Sequence, residues 1–275
     1  MKLSTVSRLP ELLAPEKLTE AVRTFRDTGV VVIEDVFAPD LLKAVQADYD
    51  LQLADYLEKK GGLAALEGKT FGKNHIGFFP DMRTVIGDAA LAANGVAVQI
   101  MTELLGARLA CSFYHTNTAC PGSGVQPIHR DSQHLFGTEM SVPHPVCSLV
   151  LNIPLCDFNE SNGSTEYWPG SHLIVDRNDE DARNLLARAS ALPSARLNIK
   201  AGSFALRDMR VWHRGMPNDA DYSRTMLAIV YHREFIAEKP IQIPESQWET
   251  WTESAKHIFR KNKVVPDEEY APATW

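Results

Sequence analysis

Gln126-Pro127-Ile128-His129-Arg130-Asp131-Ser132-Gln133-His134 is the stretch around which this chain is organised. It follows the turn-forming run Pro121-Gly122-Ser123-Gly124 and reads as extended chain, in which side chains alternate with period two. His129 and Asp131 therefore point the same way, and both can reach one metal ion. Two ligands do not hold a catalytic metal. A second imidazole stands downstream in Val211-Trp212-His213-Arg214-Gly215, and two histidines with one carboxylate leave positions open on ferrous iron for oxygen and an electron donor. Zinc accepts the same donors, so the ligand set alone does not choose the metal. A His-x-Asp triplet also arises by chance. What raises this one is its context: the turn before it, the long irregular segment after it, and His213 and Arg224 further along.

Outward from that stretch, the texture after Arg108 is one of short strands and turns. Strands are expected over 109–118, 125–129, 146–155, 165–168, 197–206 and 225–232, with one helix interrupting them near 179–191. Short strands at these intervals, without helices regularly between them, indicate an antiparallel sandwich or barrel. The chain before Arg108 is helical. Leu18, Val22 and Phe25 recur at helical spacing after Pro15, and Gly29 ends that helix. Val30-Val31-Val32-Ile33 reads as a buried strand. Leu41, Leu42, Val45 and Tyr49 open a second helix, capped at Asp40, that runs towards Lys60 and stops at Gly61-Gly62. Residues 88–105 read as one buried helix ending at Gly106. The stretch 71–80, which mixes aromatic, glycine and polar residues, is either a loop closing over a site or a connection packed by its own aromatics. Residues 245–261 read as a helix outside the barrel, followed by a loosely held acidic tail. One domain is expected over 1–275: a helical N-terminal region over 1–107, a β core over 108–235, and a C-terminal helix and tail over 236–275.

The 275 residues carry a net charge of -7 and are 44% hydrophobic, ample for a core and unsuited to coating nucleic acid or an anionic membrane. The expected partner is a small molecule, with a homodimer possible. Cysteines 111, 120, 147 and 156 form no C-x-x-C pair and read as buried thiols. With no secretory apolar region, no apolar run of about 18 residues and no sorting address in Pro272-Ala273-Thr274-Trp275, the expected location is the cytoplasm.

Arg224, at the start of the apolar strand Thr225-Met226-Leu227, asks for an anion, because a buried unpaired guanidinium is costly. A dicarboxylic acid would supply one in bidentate geometry, and an internal Asp or Glu is the alternative. In Asn162-Gly163-Ser164-Thr165-Glu166-Tyr167-Trp168-Pro169-Gly170-Ser171-His172, Asn-Gly makes a tight turn, Thr165 begins the return strand, and Pro-Gly-Ser-His makes the exit turn.

Taken in order, His129-x-Asp131, Asn162-Gly163, Pro169-Gly170-Ser171-His172, His213 and Arg224 resemble the signature set of the phytanoyl-CoA dioxygenase-like family of iron(II) and 2-oxoglutarate dependent oxygenases. The resemblance covers roughly residues 20 to 235. It implies a mainly β fold with flanking helices around a double-stranded β-helix (jelly-roll, cupin-like) core. It further implies that His129, Asp131 and His213 bind Fe(II) and that Arg224 pairs with the distal carboxylate of 2-oxoglutarate. Thr165 falls where relatives place a hydroxyl on that cosubstrate, and Gln126 near a position where some use an amide. The implied reaction uses O2, converts 2-oxoglutarate to succinate and CO2, and hydroxylates, desaturates or rearranges the substrate. Halogenating relatives lack the carboxylate supplied here by Asp131. The expected substrate is a small, largely apolar molecule such as a secondary metabolite, selected by residues 73–79, 132–145 and the C-terminal region. Two other classes stay open: a non-catalytic metal-binding barrel that senses a small ligand, and a cupin-like zinc or manganese enzyme.

Overall fold

Pro and Gly mark off the first helices in the computed structural model, which describes residues 12–273. The opening Pro-punctuated segment before residue 12 and the terminal Thr274-Trp275 lie outside the described residues. Helix α1 (Pro15–Thr28) has its proline in the first turn and ends on Gly29 in the left-handed conformation, where glycine carries no Cβ penalty. Strand β1 (Val30–Ile33) follows, and α2 (Pro39–Lys60) ends the same way on Gly61. Its cap is Ala38 rather than Asp40, since Pro39 occupies the first helical position and Asp40 lies in the first turn. The segment expected as one helix over 88–105 is two, α3 (Ala89–Ala92) and α4 (Gly95–Leu105). Asn94 divides them: its Oδ1 accepts from Val96 N and Ala97 N, so the backbone is capped afresh there.

Strand β2 (His75–Ile76) comes from the stretch that was either lid or packed connection. It pairs with β3 (Ala110–Ala119), and Phe78 stacks between Tyr49 and Tyr56, so that half is packed chain. β4 (Ser148–Pro154), β7 (Phe204–Asp208) and β9 (Arg224–His232) complete an antiparallel six-stranded sheet of order β1-β7-β4-β9-β3-β2. A smaller sheet of order β6-β5-β8 contains β5 (Glu166–Tyr167), β6 (Ala195–Arg196) and β8 (His213–Arg214). Of the strand expected over 197–206 only the end is strand, as the start of β7, and the one at 125–129 touches the sheet through the single bridge His129–His213. The helix near 179–191 is also two pieces, α5 (Asp179–Arg183) and α6 (Leu185–Ala189).

Alternation decides what each strand faces. On β9, Leu227, Ile229 and Tyr231 join the large core beneath the N-terminal helices, whereas Ala228 and Val230 belong to a separate cluster with Val150, Phe113 and Met209. Ala205 of β7 meets Leu197, Ile199 and Val211 from the smaller sheet's side. The two sheets therefore face each other, and the fold is the jelly-roll expected: mostly sheet, with helices covering the outer face of the larger one. The tyrosines of that outer face carry their hydroxyls to helix and loop carbonyls, Tyr114 to Ile86 O at 2.5 Å and Tyr231 to Ala92 O, satisfying a polar atom that burial would otherwise leave costly.

The C-terminal region departs from the reading as one helix and a loose tail. α7 (Glu245–Thr250) and α8 (Glu253–Phe259) are broken at Trp251, whose indole donates to Gly87 O at 3.0 Å. β10 (Gln242–Pro244) and β11 (Lys263–Val265) then pair in parallel, and the Tyr270 hydroxyl accepts from Met82 N at 3.1 Å with the residue 8% exposed. This tail is held by burial. All four cysteines are free, and among the described residues no single helix is long and apolar enough to cross a membrane.

Candidate metal and cosubstrate site

His129 and His213 are brought together by the backbone before their side chains meet. His129 N donates to His213 O at 3.0 Å and His213 N donates to His129 O at 2.9 Å, so the two residues form one rung between the 125–131 segment and β8. Asp131 N and Ser132 N both donate to Met209 O, at 2.9 and 3.0 Å, which fixes the segment again two residues on. Ser171, in the exit turn noted in the sequence, accepts from Trp212 N at 2.8 Å and so anchors the strand beside His213. Gly163 is in the left-handed region at φ 79, and a Cβ there would lie 2.6 Å from Met216 O, so the Asn-Gly turn is pressed against the chain that follows β8.

The imidazoles are oriented by their outer nitrogens. His129 Nδ1 lies 2.9 Å from Pro127 O, and His213 Nδ1 lies 3.0 Å from Val211 O. A carbonyl only accepts, so each Nδ1 carries the proton and each Nε2 presents a lone pair. Those Nε2 atoms stand 3.9 Å and 3.6 Å from Asp131 Oδ1, and the ligand atoms of the three residues all lie within 4.8 Å of one another. Donors held about 2.1 Å from one divalent ion at right angles are about 3 Å apart, so a small inward movement would close the set on an ion. Burial holds both imidazoles below their ordinary pKa, His213 far below with the Arg207 charge adding to it. Both are neutral, as metal ligands must be. Burial alone would raise the Asp131 carboxyl, but the Arg207 guanidinium and the two imidazoles hold it well below the usual carboxylate range. The donor set fits ferrous iron.

Arg224 is 3% exposed and lies with its guanidinium 4.7 Å from the centre of the Phe158 ring. Its Nε has no hydrogen-bond partner. Among the described residues no Asp or Glu pairs with it, and burial pushes its pKa down to about 10. Among the described residues the internal-acid alternative is therefore not met. Thr165 is buried at 5% exposure, and its carbonyl accepts from Leu197 N at 2.8 Å. Gln126 uses both ends of its amide on main chain: Oε1 accepts from Gly215 N at 2.7 Å and Nε2 donates to Phe71 O at 2.6 Å. His134 is buried with Nε2 near Ile174 O at 3.3 Å, outside the ligand set.

Two further residues touch the triad and a third lies on the same inner face of the sheet; none was singled out in the sequence. Arg207 of β7 donates to Asp131 Oδ2 at 2.6 Å. Phe71 sets its ring edge-on to His129, centroids 4.7 Å apart. Asn152 of β4, 2% exposed, faces the interior between Ala205 and Ala228, its register partners, with Nδ2 unpaired. The signal for Arg207 and Asn152 was a polar residue at an inward position of an apolar strand; Phe71 left none. A cavity of about 520 Å3 opens beside His129 and is lined by Gln126, Ile128, Leu185, Leu186 and Arg214.

Comparison with known proteins gives the family. The family model of phytanoyl-CoA dioxygenase (PhyH) matches residues 25–226, and the chain belongs to that family. Among relatives, the dioxygenase trt7 of Aspergillus terreus is 24% identical over 160 residues, 56% of this chain and 54% of the relative. The dioxygenase af480 of Aspergillus fumigatus is 25% identical over 183 residues, 63% of this chain and 55% of the relative. The chain spans about half the length of the curated relatives it matches. Of solved structures, the non-heme alpha-ketoglutarate dependent carbocyclase SnoK from nogalamycin biosynthesis superposes with a TM-score of 0.58 at 20% identity, covering 82% of this chain and 87% of that one. The epimerase SnoN, in complex with Fe3+, alpha-ketoglutarate and nogalamycin RO, gives 0.59 at 20%, covering 82% and 88%. At this identity the likeness establishes the shared fold.

Proposed function

We propose that this chain is a single-domain Fe(II)- and 2-oxoglutarate-dependent dioxygenase that oxidises a small, largely apolar molecule, with decarboxylation of 2-oxoglutarate to succinate and CO2. The observation that carries the proposal is the convergence of two imidazole lone pairs, each fixed by an Nδ1–H bond to a carbonyl, on one oxygen of Asp131. His129, Asp131 and His213 would hold the iron, which supplies, when bound, the place where O2 and 2-oxoglutarate react and the substrate is oxidised. Arg224 binds the distal carboxylate, the anion its buried guanidinium lacks. Thr165 offers a hydroxyl beside the cosubstrate, and Gln126 an amide beside the triad whose two ends are bonded to Gly215 N and Phe71 O. Phe71 packs its ring edge-on against His129 and helps fix that imidazole. The exposed side chains of Leu135, Phe136 and Val142 on the 132–145 segment favour an apolar substrate, such as the secondary metabolites on which some fold neighbours act. Four free thiols suit the reducing cytoplasm.

The test is an anaerobic visible spectrum of the metal-free protein on adding iron(II) and then 2-oxoglutarate. A weak metal-to-ligand charge-transfer band that vanishes in His213→Ala is expected. Its absence from folded, iron-loaded protein would overturn the reading in favour of a non-catalytic or zinc-type barrel.

A further inference from the structure

The two oxygens of Asp131 have different surroundings. Oδ1 faces His213 Nε2 at 3.6 Å and His129 Nε2 at 3.9 Å, whereas Oδ2 lies 2.6 Å from Arg207 Nη2. Arg207 is itself 4% exposed, in the middle of the larger sheet. Its backbone is paired on both sides, opposite Val30 of β1 and Val150 of β4, so the side chain departs from a fixed root. Among the described residues Asp131 is its only acidic partner. The neighbouring Asp208 points to the opposite face, by alternation, and is taken by Arg210 at 2.7 Å. Arg207 Nη1 comes within 3.3 Å of His213 Nδ1, but that nitrogen's proton goes to Val211 O, so two donors meet there and no hydrogen bond forms. The contact leaves Nη2 to Asp131 as the arginine's directed interaction.

We propose that Arg207 is a positioning residue that restricts Asp131 to a single coordinating oxygen. The inference rests on the iron-binding reading of the site. A free carboxylate can give a metal one oxygen or two. With two, Asp131 and the histidines would fill four of about six positions and leave two. A chelating 2-oxoglutarate would take two and O2 a third, which a carboxylate with one oxygen engaged elsewhere would leave free. A buried guanidinium does this with direction, and it offsets the carboxylate's charge without competing for the metal, because arginine does not deprotonate in the working range.

The experiment uses the cobalt(II)-loaded full-length protein, whose ligand-field absorption reports coordination number without turnover, together with 2-oxoglutarate titrations of wild type, Arg207→Met and Arg207→Lys. In Arg207→Met the cobalt spectrum before cosubstrate is expected to change and the Kd for 2-oxoglutarate to rise about 10-fold, which corresponds to about 1.4 kcal/mol of binding. Cobalt affinity should change less than cosubstrate affinity, a split that a general loss of fold would not give. Arg207→Lys keeps the charge and one donor, and should recover part of the loss while still differing from wild type. Should Arg207→Met fail to fold, Arg207→Lys decides alone: a changed spectrum with weaker 2-oxoglutarate binding supports the role. Either folded variant matching wild type in both readouts would overturn it. Failure of wild type itself to bind cobalt or 2-oxoglutarate would instead strike the functional reading.

Discussion

Replacing Arg224 with methionine separates a ligand-binding role from a structural one, because the two predict opposite changes in stability. The guanidinium is 3% exposed with no acidic partner among the described residues, and burial pushes its pKa down to about 10. Its folded-state value lies below the unfolded one, so the protonated form is disfavoured in the fold at every pH up to about 10. At about 1.4 kcal/mol for each tenfold, that penalty is on the order of 3 kcal/mol. The contact with the Phe158 ring returns about 0.5–2 kcal/mol of it, and methionine keeps the apolar stem. Arg224→Met without ligand is therefore expected to be more stable by about 1–2 kcal/mol, raising Tm by roughly 2–6 °C. With manganese(II) present, 2-oxoglutarate should raise the wild-type Tm further, since a ligand at about 100 times its Kd adds about 2.7 kcal/mol. The variant should show little such rise, its affinity having fallen about 10–150-fold with the loss of a charge-assisted pair. Thermal unfolding followed by fluorescence, with and without 2-oxoglutarate, reads both effects. A variant that melts lower than wild type without ligand, or is stabilised equally by 2-oxoglutarate, would refute the reasoning and make Arg224 a structural cation.

The buried histidines predict a further pH effect. Burial lowers His115 and His232 to about 4, with the Lys261 charge assisting at His232, whereas the unfolded chain titrates near about 6.5. The stability they contribute is full above about pH 6.5 and is lost as pH falls towards 4, by at most on the order of 3 kcal/mol each. Urea midpoints should drop across that window, and His232→Gln should flatten the slope; an unchanged slope would assign the effect to other groups. Gln126→Ala is expected to weaken 2-oxoglutarate binding about 3–10-fold, the worth of one hydrogen bond, with Fe(II) affinity unchanged. If Fe(II) affinity falls instead, the amide serves to hold Gly215 and Phe71 in place.

Local rules account for much of what could be read before the fold was known. Period-two alternation put His129 and Asp131 on one side of an extended segment. Proline and glycine set both ends of α1 and the end of α2, because φ restriction and left-handed freedom belong to single residues. Where a stretch was uniformly apolar or helix-favouring, as over 88–105 and 245–261, the periodicity continued past breaks that a side-chain cap at Asn94 and a buried indole at Trp251 impose. The sequence by itself thus determined the strand-rich class, the family and three metal-ligating candidates, since these follow from residue type, order and short spacing. Only the tertiary structure decided that Arg207 takes one oxygen of Asp131, that Phe71 packs against His129, and that Arg224 has no acidic partner among the described residues. Those pairings join residues far apart in the chain, and a charge or ring finds its partner through distance and burial, which one-dimensional order does not encode.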